Sequence, residues 1–236
     1  MQRYFAKKME ENQFILEDTD YHHIKNVMRM KEEEQIEIVY EQNLYVAHIL
    51  YHDNQIKVIK EEQRTNKISK DCYITLIIPV LKEQKMDFIL QKATELGVSE
   101  IIPVVMERCV VKVDGKEEKK VQRWRKIVKE ASEQSKRLTI PKINEITSFC
   151  QLKEIKGVKL VCSTVENKKN IKNIMNSINN CDRISVVIGP EGGLSMKEEK
   201  DLMKKDYLPI SLGNRILRVE TVPLYLLSIL NYENLL

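Results

Sequence analysis

No apolar run in this 236-residue chain reaches the ~20 residues needed to span a bilayer. The longest, Val222 to Leu230, is broken by Pro223 and Ser228 and suits a buried helix. The opening Met1-Gln2-Arg3-Tyr4-Phe5 lacks the apolar core of a secretory signal. Both absences lead us to expect a cytoplasmic protein. Cys72, Cys109, Cys150, Cys162 and Cys181 are widely spaced, odd in number and contain no CxxC pair. That spacing argues against a zinc site or a disulfide framework and fits reduced thiols. His22 and His23 do not change the expectation of no metal: adjacent helical residues point about 100° apart and no third ligand stands nearby. No glycine segment ends in Gly-Lys-Ser/Thr and none reads GxGxxG, so a Walker-type phosphate cradle and a dinucleotide fold lack support. Charge of one sign is also lacking. Thirty-nine Lys and Arg stand against 35 Asp and Glu, a net +4 that permits an RNA partner without pointing to one.

What is present divides in two. To about residue 68 the chain reads as short strands: Gln35 to Tyr40 alternates, and Leu44 to Leu50 and Gln55 to Ile59 follow, with turns at Gln42-Asn43 and Asp53-Asn54. A short helix is expected over Tyr21 to Met30. Strands this short and closely spaced suggest a small β-barrel. The polar stretch Glu61 to Lys70 has no periodicity and marks a boundary, giving segments 1–68 and 69–236.

The second segment alternates strand and helix. Tyr73 to Val80 is an apolar strand, and Lys85 to Gly97 a helix with Met86, Ile89, Leu90, Ala93 and Leu96 on one face, closed by Gly97. Ile101 to Val105 is a strand, and Val121, Trp124, Val128 and Ala131 make Glu117 to Arg137 an amphipathic helix. Lys159 to Thr164, Ile184 to Ile188 and Leu208 to Leu212 read as strands. Ser195 and Glu198 form a capping box, and Thr221 to Glu233 is a final helix. The expected class is α/β, with a mostly parallel sheet and helices on both faces.

Two of these strands run into loops rich in glycine and polar residues: Ile188-Gly189-Pro190-Glu191-Gly192-Gly193-Leu194-Ser195, and Leu212-Gly213-Asn214-Arg215-Ile216-Leu217-Arg218-Val219-Glu220-Thr221. Such loops at the carboxyl ends of strands are where an open α/β sheet holds a ligand. The glycines let the backbone approach a bound molecule, and a bulky residue at Gly192 is expected to fill its space. Arg218 and Glu220, just ahead of an apolar helix, stand in an odd place for solvated charges.

The pair of loops resembles the SPOUT class of S-adenosylmethionine-dependent RNA methyltransferases, and within it the RsmE-type family that methylates N3 of a uridine in small-subunit (16S) ribosomal RNA. Met1 to Phe5, His22 to Met30, Lys85-Met86-Asp87, Gln91 to Gly97, Glu107-Arg108-Cys109-Val110-Val111-Lys112, Trp124 and Glu130 to Ser135 fit the same family in order. Asn214, Val222-Pro223 and Glu33-Glu34 depart from its usual wording, the last standing where a Gly-Asp turn is common. The resemblance implies a PUA-like, RNA-binding barrel over 1–68 and a methyltransferase domain with a deep trefoil knot over 69–236.

It further implies that S-adenosylmethionine lies against Gly189, Pro190, Glu191, Gly192, Gly193, Leu212, Gly213, Ile216, Leu217, Arg218 and Thr221, with no metal, and that each pocket is completed across a homodimer. Arg218 is the candidate to stabilise the anion left when N3 loses its proton, and Glu220 or water the candidate base. Arg3, Lys25, Arg29 and Lys31 suit contacts to RNA phosphates, free or in the 30S subunit. Two other readings are a SPOUT ribose 2′-O-methyltransferase and a non-catalytic RNA-binding assembly factor. The first usually carries an early Asn-x-x-x-x-Arg segment and a Ser-Leu-Asn-Val-type final loop, neither of which is present.

Overall fold

The computed structural model describes the chain except residues 54, 66–71, 113–114, 165, 167–170, 179–180 and 234–236, and the side chains of 173 and 175–177. The chain divides into two compact units: Met1–Ser69 with Ser132–Thr139, and Lys70–Ala131 with Ile140–Leu236. The stretch read as a boundary is strand as far as Arg64, and from residue 66 to 71 it lies outside the described residues.

The first unit is a six-stranded sheet of β1 (Arg3–Phe5), β2 (Lys8–Glu10), β3 (Gln13–Ile15), β4 (Gln35–Tyr40), β5 (Asn43–His52) and β6 (Gln55–Arg64), in the order β1-β4-β5-β6-β3-β2. All pairs are antiparallel except β1 with β4. The edge strands β1 and β2 are joined by only Ala6 and Lys7. The amide of Ala6 donates to Val39 and that of Lys7 to Ile15. Edges two residues apart force the sheet to roll up, which is the expected barrel. Its interior is filled by Tyr4, Phe14, Ile36, Ile38, Tyr45, Ala47, Ile49 and Val58, with Leu16 and Ile24.

Local chemistry corrects some boundaries. The β4–β5 turn is Glu41-Gln42, not Gln42-Asn43, because both residues take positive φ, as a hairpin turn matching the strand twist requires. Glu33 likewise takes φ +65°, the conformation a glycine would adopt without strain. The helix expected over Tyr21 to Met30 begins earlier, as α1 (Asp18–His22), and runs on as a π-helical turn, His23–Val27. It ends because Arg29 turns to φ +51° and the Met30 amide reaches back to the Ile24 carbonyl.

Arg3 is not available to RNA. It is buried, its Nε donates to Glu37 at 3.0 Å, and its Nη1 donates to the carbonyls of Lys136 and Arg137. Lys136 Nζ adds a second contact to Glu37 at 3.1 Å. Burial opposes ionisation of Glu37, but these hydrogen bonds and the two cations hold its carboxyl below the usual range. Removing Arg3 would leave a buried carboxylate short of a partner, so its role is structural. Lys25, Arg29 and Lys31 are all exposed.

The second unit carries a parallel sheet of β7 (Tyr73–Pro79), β8 (Glu100–Val105), β9 (Lys142–Ile143), β10 (Thr147–Ser148), β11 (Val158–Cys162), β12 (Arg183–Val187) and β13 (Leu208–Ile210). The order is β10-β8-β7-β12-β11-β13, with β9 also on β8. Its helices are α2 (Glu83–Glu95), α3 (Glu117–Gln134), α4 (Ile171–Ile178), α5 (Met196–Lys204) and α6 (Thr221–Tyr232).

Strand alternation divides the core. Ile74, Leu76 and Ile78 of β7 and Ile184 and Val186 of β12 join Leu160 under α2, α3, α4 and α6. Ile77, Val187 and Val161 face the other way, under Leu202 of α5 and Tyr207. Among the described residues helices therefore cover both faces, four against one. Helix α2 ends as expected of a glycine stop: Gly97 takes φ +97°, the Val98 amide donates to Ala93 and the Gly97 amide to Thr94. Helix α3 stops at Gln134, three residues short of the expected end, where Lys136 takes φ +59°. Among the described residues no helix is long and apolar enough to cross a membrane.

Candidate active site

Strands β12, β11 and β13 are consecutive neighbours, so the loops leaving their carboxyl ends share one edge of the sheet. These loops, with the start of α2, surround a cavity of about 550 Å³. Its apolar wall is Ile188, Leu194, Leu212, Ile216, Leu217, Val219 and Val222. Its polar groups come from Lys85, Ser163, Glu191, Glu199, Ser211, Arg215, Arg218 and Glu220. Cys162 also lines it. Burial pushes that thiol to about 12, so it is neutral wall rather than nucleophile.

Of the residues singled out from sequence, Gly189, Pro190, Glu191, Gly193, Leu212, Gly213, Ile216, Leu217, Arg218 and Glu220 meet at this cavity. Gly193 and Gly213 take φ +70° and +117°, and among the described residues a Cβ on either would meet nothing within 4 Å. Gly192 and Thr221 do not line it. Gly192 instead abuts Arg108, whose Cβ lies 3.2 Å from where a Gly192 Cβ would stand. Thr221 is exposed and its amide closes the first turn of α6 on the Arg218 carbonyl at 2.9 Å. Pro223 sits buried within that turn, where its missing N–H is no loss.

The loop after β12 is held from its far end. Ser195 caps α5, its Oγ accepting from the Glu198 amide at 3.3 Å, while Glu198 Oε2 accepts from the Ser195 amide at 2.8 Å. Both side chains are buried. The other oxygen of Glu198 accepts from the Glu107 amide at 2.8 Å, tying in the segment after β8.

Lys85, read in the sequence only as part of a stretch that fits the family, belongs to the site. From the first turn of α2 its Nζ lies 3.0 Å from Glu191 and 3.5 Å from Glu220 Oε2, so one cation links the two glycine loops. Its pairing with Glu191, then Glu220, raises its pKa, and it helps lower that of Glu191 against the effect of burial. Glu220 Oε2 is buried and, despite this ion pair, makes no hydrogen bond among the described residues. Ser163 and Glu199 were missed; the Ser163 hydroxyl donates to Glu199 at 3.2 Å on the cavity wall. An apolar wall with Glu166, Glu191, Glu199 and Glu220 set against Lys85, Arg215 and Arg218 suits a ligand with a flat ring, a cationic group and a carboxylate.

A family model described as an RNA methyltransferase domain matches residues 68–231, and one described as an RNA methyltransferase PUA domain matches residues 16–61. The chain belongs to the ribosomal RNA small subunit methyltransferase E family. It is 35% identical to the Bacillus subtilis ribosomal RNA small subunit methyltransferase E over 99% of this chain and 97% of that protein. The corresponding protein of Mesomycoplasma hyopneumoniae is 34% identical over 97% and 98%. Among solved structures, a ribosomal RNA small subunit methyltransferase E from Neisseria gonorrhoeae bound to S-adenosyl methionine superposes with a TM-score of 0.87. It is 29% identical and covers 98% of this chain and 97% of its own. The methyltransferase match covers most of the α/β unit, together with Ser132–Thr139 of the other unit, and the PUA match lies within the rolled sheet's unit.

Proposed function

We propose that this protein transfers a methyl group from S-adenosylmethionine to N3 of a uridine in small-subunit ribosomal RNA, with the 30S subunit as substrate. The observation that carries the reading is the convergence of both glycine loops on one cavity with Arg218 among its lining residues. The cavity lies within the ~300–1,000 Å³ range of small-molecule sites. Its apolar residues suit the adenine ring, Lys85 the methionine carboxylate, and Glu191 and Glu199 the cationic groups.

S-adenosylmethionine supplies a methyl group activated by its sulfonium. The protein's own task is alignment, which can contribute about 7–11 kcal/mol. Uridine N3 carries a proton, and its loss spreads negative charge over the flanking carbonyl oxygens. The Arg218 guanidinium, exposed at the end of the second loop, donates to those oxygens as the charge appears. Glu220, with a buried oxygen that makes no hydrogen bond among the described residues, or a water beside it, takes the proton. N3 is hidden in a Watson–Crick pair, so the target base must be unpaired or extruded. Lys25, Arg29 and Lys31 contact phosphates and position the RNA.

We also propose a homodimer. Helix α6 buries Val222, Pro223, Leu226, Leu227 and Leu230, yet Tyr225 and Tyr232 remain exposed, and Ile216 projects from the second loop. A second copy would cover them. The deciding assay is methyl incorporation into small subunits lacking the modification, followed by nucleoside digestion. The expected product is 3-methyluridine. A 2′-O-methylated nucleoside would favour ribose chemistry, and absence of cofactor binding would favour an assembly factor. Light scattering at micromolar concentration tests the dimer.

A further inference from the structure

The segment Glu107-Arg108-Cys109 after β8 has no part in the chemistry above, and it does not line the cavity. Yet it grips the loop after β12 from behind. Arg108 Nη1 donates to the Gly192 carbonyl at 2.9 Å and to the Leu194 carbonyl at 3.3 Å. The Arg108 stem lies against Gly192: a Cβ there would stand 3.2 Å from Arg108 Cβ and 3.5 Å from its Cδ. One residue earlier, the Glu107 amide is fixed to Glu198, the buried partner of Ser195. Arg108 thus holds the peptides at Gly192 and Leu194, and Glu107 the cap that follows Leu194, whose side chain is cavity wall.

We infer that Arg108 is a positioning residue that holds the cofactor loop in its binding shape, and that position 192 is glycine to admit the Arg108 side chain rather than the ligand. The inference rests on the proposed cofactor site. Those two bonds, with the Gly193 amide on the Pro190 carbonyl at 2.8 Å and the Ser195 amide on Glu198 at 2.8 Å, fix the peptides on both sides of Leu194 and so the place of its side chain in the cavity wall. A planar guanidinium can serve both carbonyls from one nitrogen while its stem packs on the glycine, which an ammonium on a flexible stem does not reproduce. Preorganisation of this kind shows in affinity, because ordering the loop then no longer opposes binding.

The experiment is calorimetric titration of the full-length protein with S-adenosylhomocysteine, beside KM and kcat for cofactor and subunit. Wild-type binding comes first: if it is absent, the cofactor site itself fails, separately from the inference. Given binding, Arg108→Ala is expected to weaken it about tenfold, the scale of a charge-assisted hydrogen bond partly screened by water. The KM for cofactor should rise with kcat within about twofold and the KM for the subunit unchanged. Arg108→Lys should recover only part of the affinity. Gly192→Ala should weaken binding about threefold by displacing the Arg108 stem a few tenths of an ångström. The double variant should lose less than the product of the two single losses, since Gly192→Ala then meets only the Cβ left at position 108 and has no guanidinium bonds to disturb. Additive losses would overturn the assigned reason for Gly192. Unchanged cofactor affinity in Arg108→Ala, or a rise confined to the KM for the subunit, would overturn the positioning role and make the exposed arginine an RNA contact. A fall in the ligand-free melting temperature of Arg108→Ala with unaltered affinity would overturn it equally, as plain structure.

Discussion

The two glycine loops that enclose the cavity are built to opposite rules. The loop after β12 is braced at every turn: Pro190 is buried and accepts from the Gly193 amide at 2.8 Å, Arg108 takes two carbonyls, and Ser195 with Glu198 closes the far end. The loop after β13 has little of this. Ser211 Oγ lies 3.3 Å from the Gly213 amide, and thereafter Asn214, Arg215, Ile216 and Arg218 are all exposed. A braced loop presents a fixed surface to a ligand common to every turnover. A loop with solvated side chains keeps freedom to meet the second substrate, a large RNA. Lys85 joins them through Glu191 and Glu220, though an ion pair about one-third exposed is a weak tie.

The sharpest way to break that contrast is at Arg218. If the second loop serves the RNA base, Arg218→Ala should lower kcat about 10²–10³-fold while cofactor affinity holds, as for loss of an oxyanion donor. Lysine should rescue only in part. Lost affinity with kcat retained would place Arg218 in the braced half of the pocket instead.

Next in size is Glu198, which should show how much the bracing contributes. Its two carboxyl oxygens accept from Ser195 and Glu107, and the residue is buried. Glu198→Ala leaves both amides unsatisfied, so unfolding should be easier by about 2–3 kcal/mol. Denaturant unfolding measures the loss. Ser195→Ala, which removes only the cap, should cost about 1 kcal/mol.

Much of the braced loop was legible because its signals are local. Ser195 and Glu198 are three residues apart, and the capping box follows from that spacing. Short apolar runs likewise placed β7, β8, β11, β12 and β13 within two residues. What escaped depends on distant partners. Lys85 meets Glu191 across 106 residues of chain, and Arg108 meets Gly192 across 84. A motif around Arg108 was visible, but no periodicity tells which loop it touches. Gly192 shows the same limit: glycine signals close approach, not the identity of the neighbour. Arg3 reads as a free cation until folding sets Glu37 beside it. Strands β1, β2 and β3, three residues each, are too short for alternation to register.

A smaller effect separates the glycines. Gly213 at φ +117° lies where side-chain-bearing residues rarely go, whereas Gly193 at φ +70° is near the left-handed helical region they tolerate. Neither Cβ would clash, so backbone strain alone should decide. Gly213→Ala should reduce cofactor affinity by roughly 1–2 kcal/mol, and Gly193→Ala by about half as much. Equal losses would mean that the less braced loop does not hold its shape before the ligand arrives.

The smallest expected effect on folding is at Ile216, which is 86% exposed although it sits among cavity-lining residues. An apolar side chain so placed gains almost nothing from burial within one chain, so Ile216→Ser should change unfolding free energy by less than about 0.5 kcal/mol. Its consequence should appear between molecules. If a second copy covers the loop, the serine variant should shift the monomer–dimer equilibrium toward monomer at micromolar concentration, by the transfer free energy of an isoleucine, about 1.5–3 kcal/mol. Sedimentation at several concentrations reads that shift directly. A stability loss in the monomer would mean that Ile216 folds inward and that the second loop is as fixed as the first. No change in either quantity would leave the side chain facing the RNA, and the loop's freedom would then belong to substrate recognition alone.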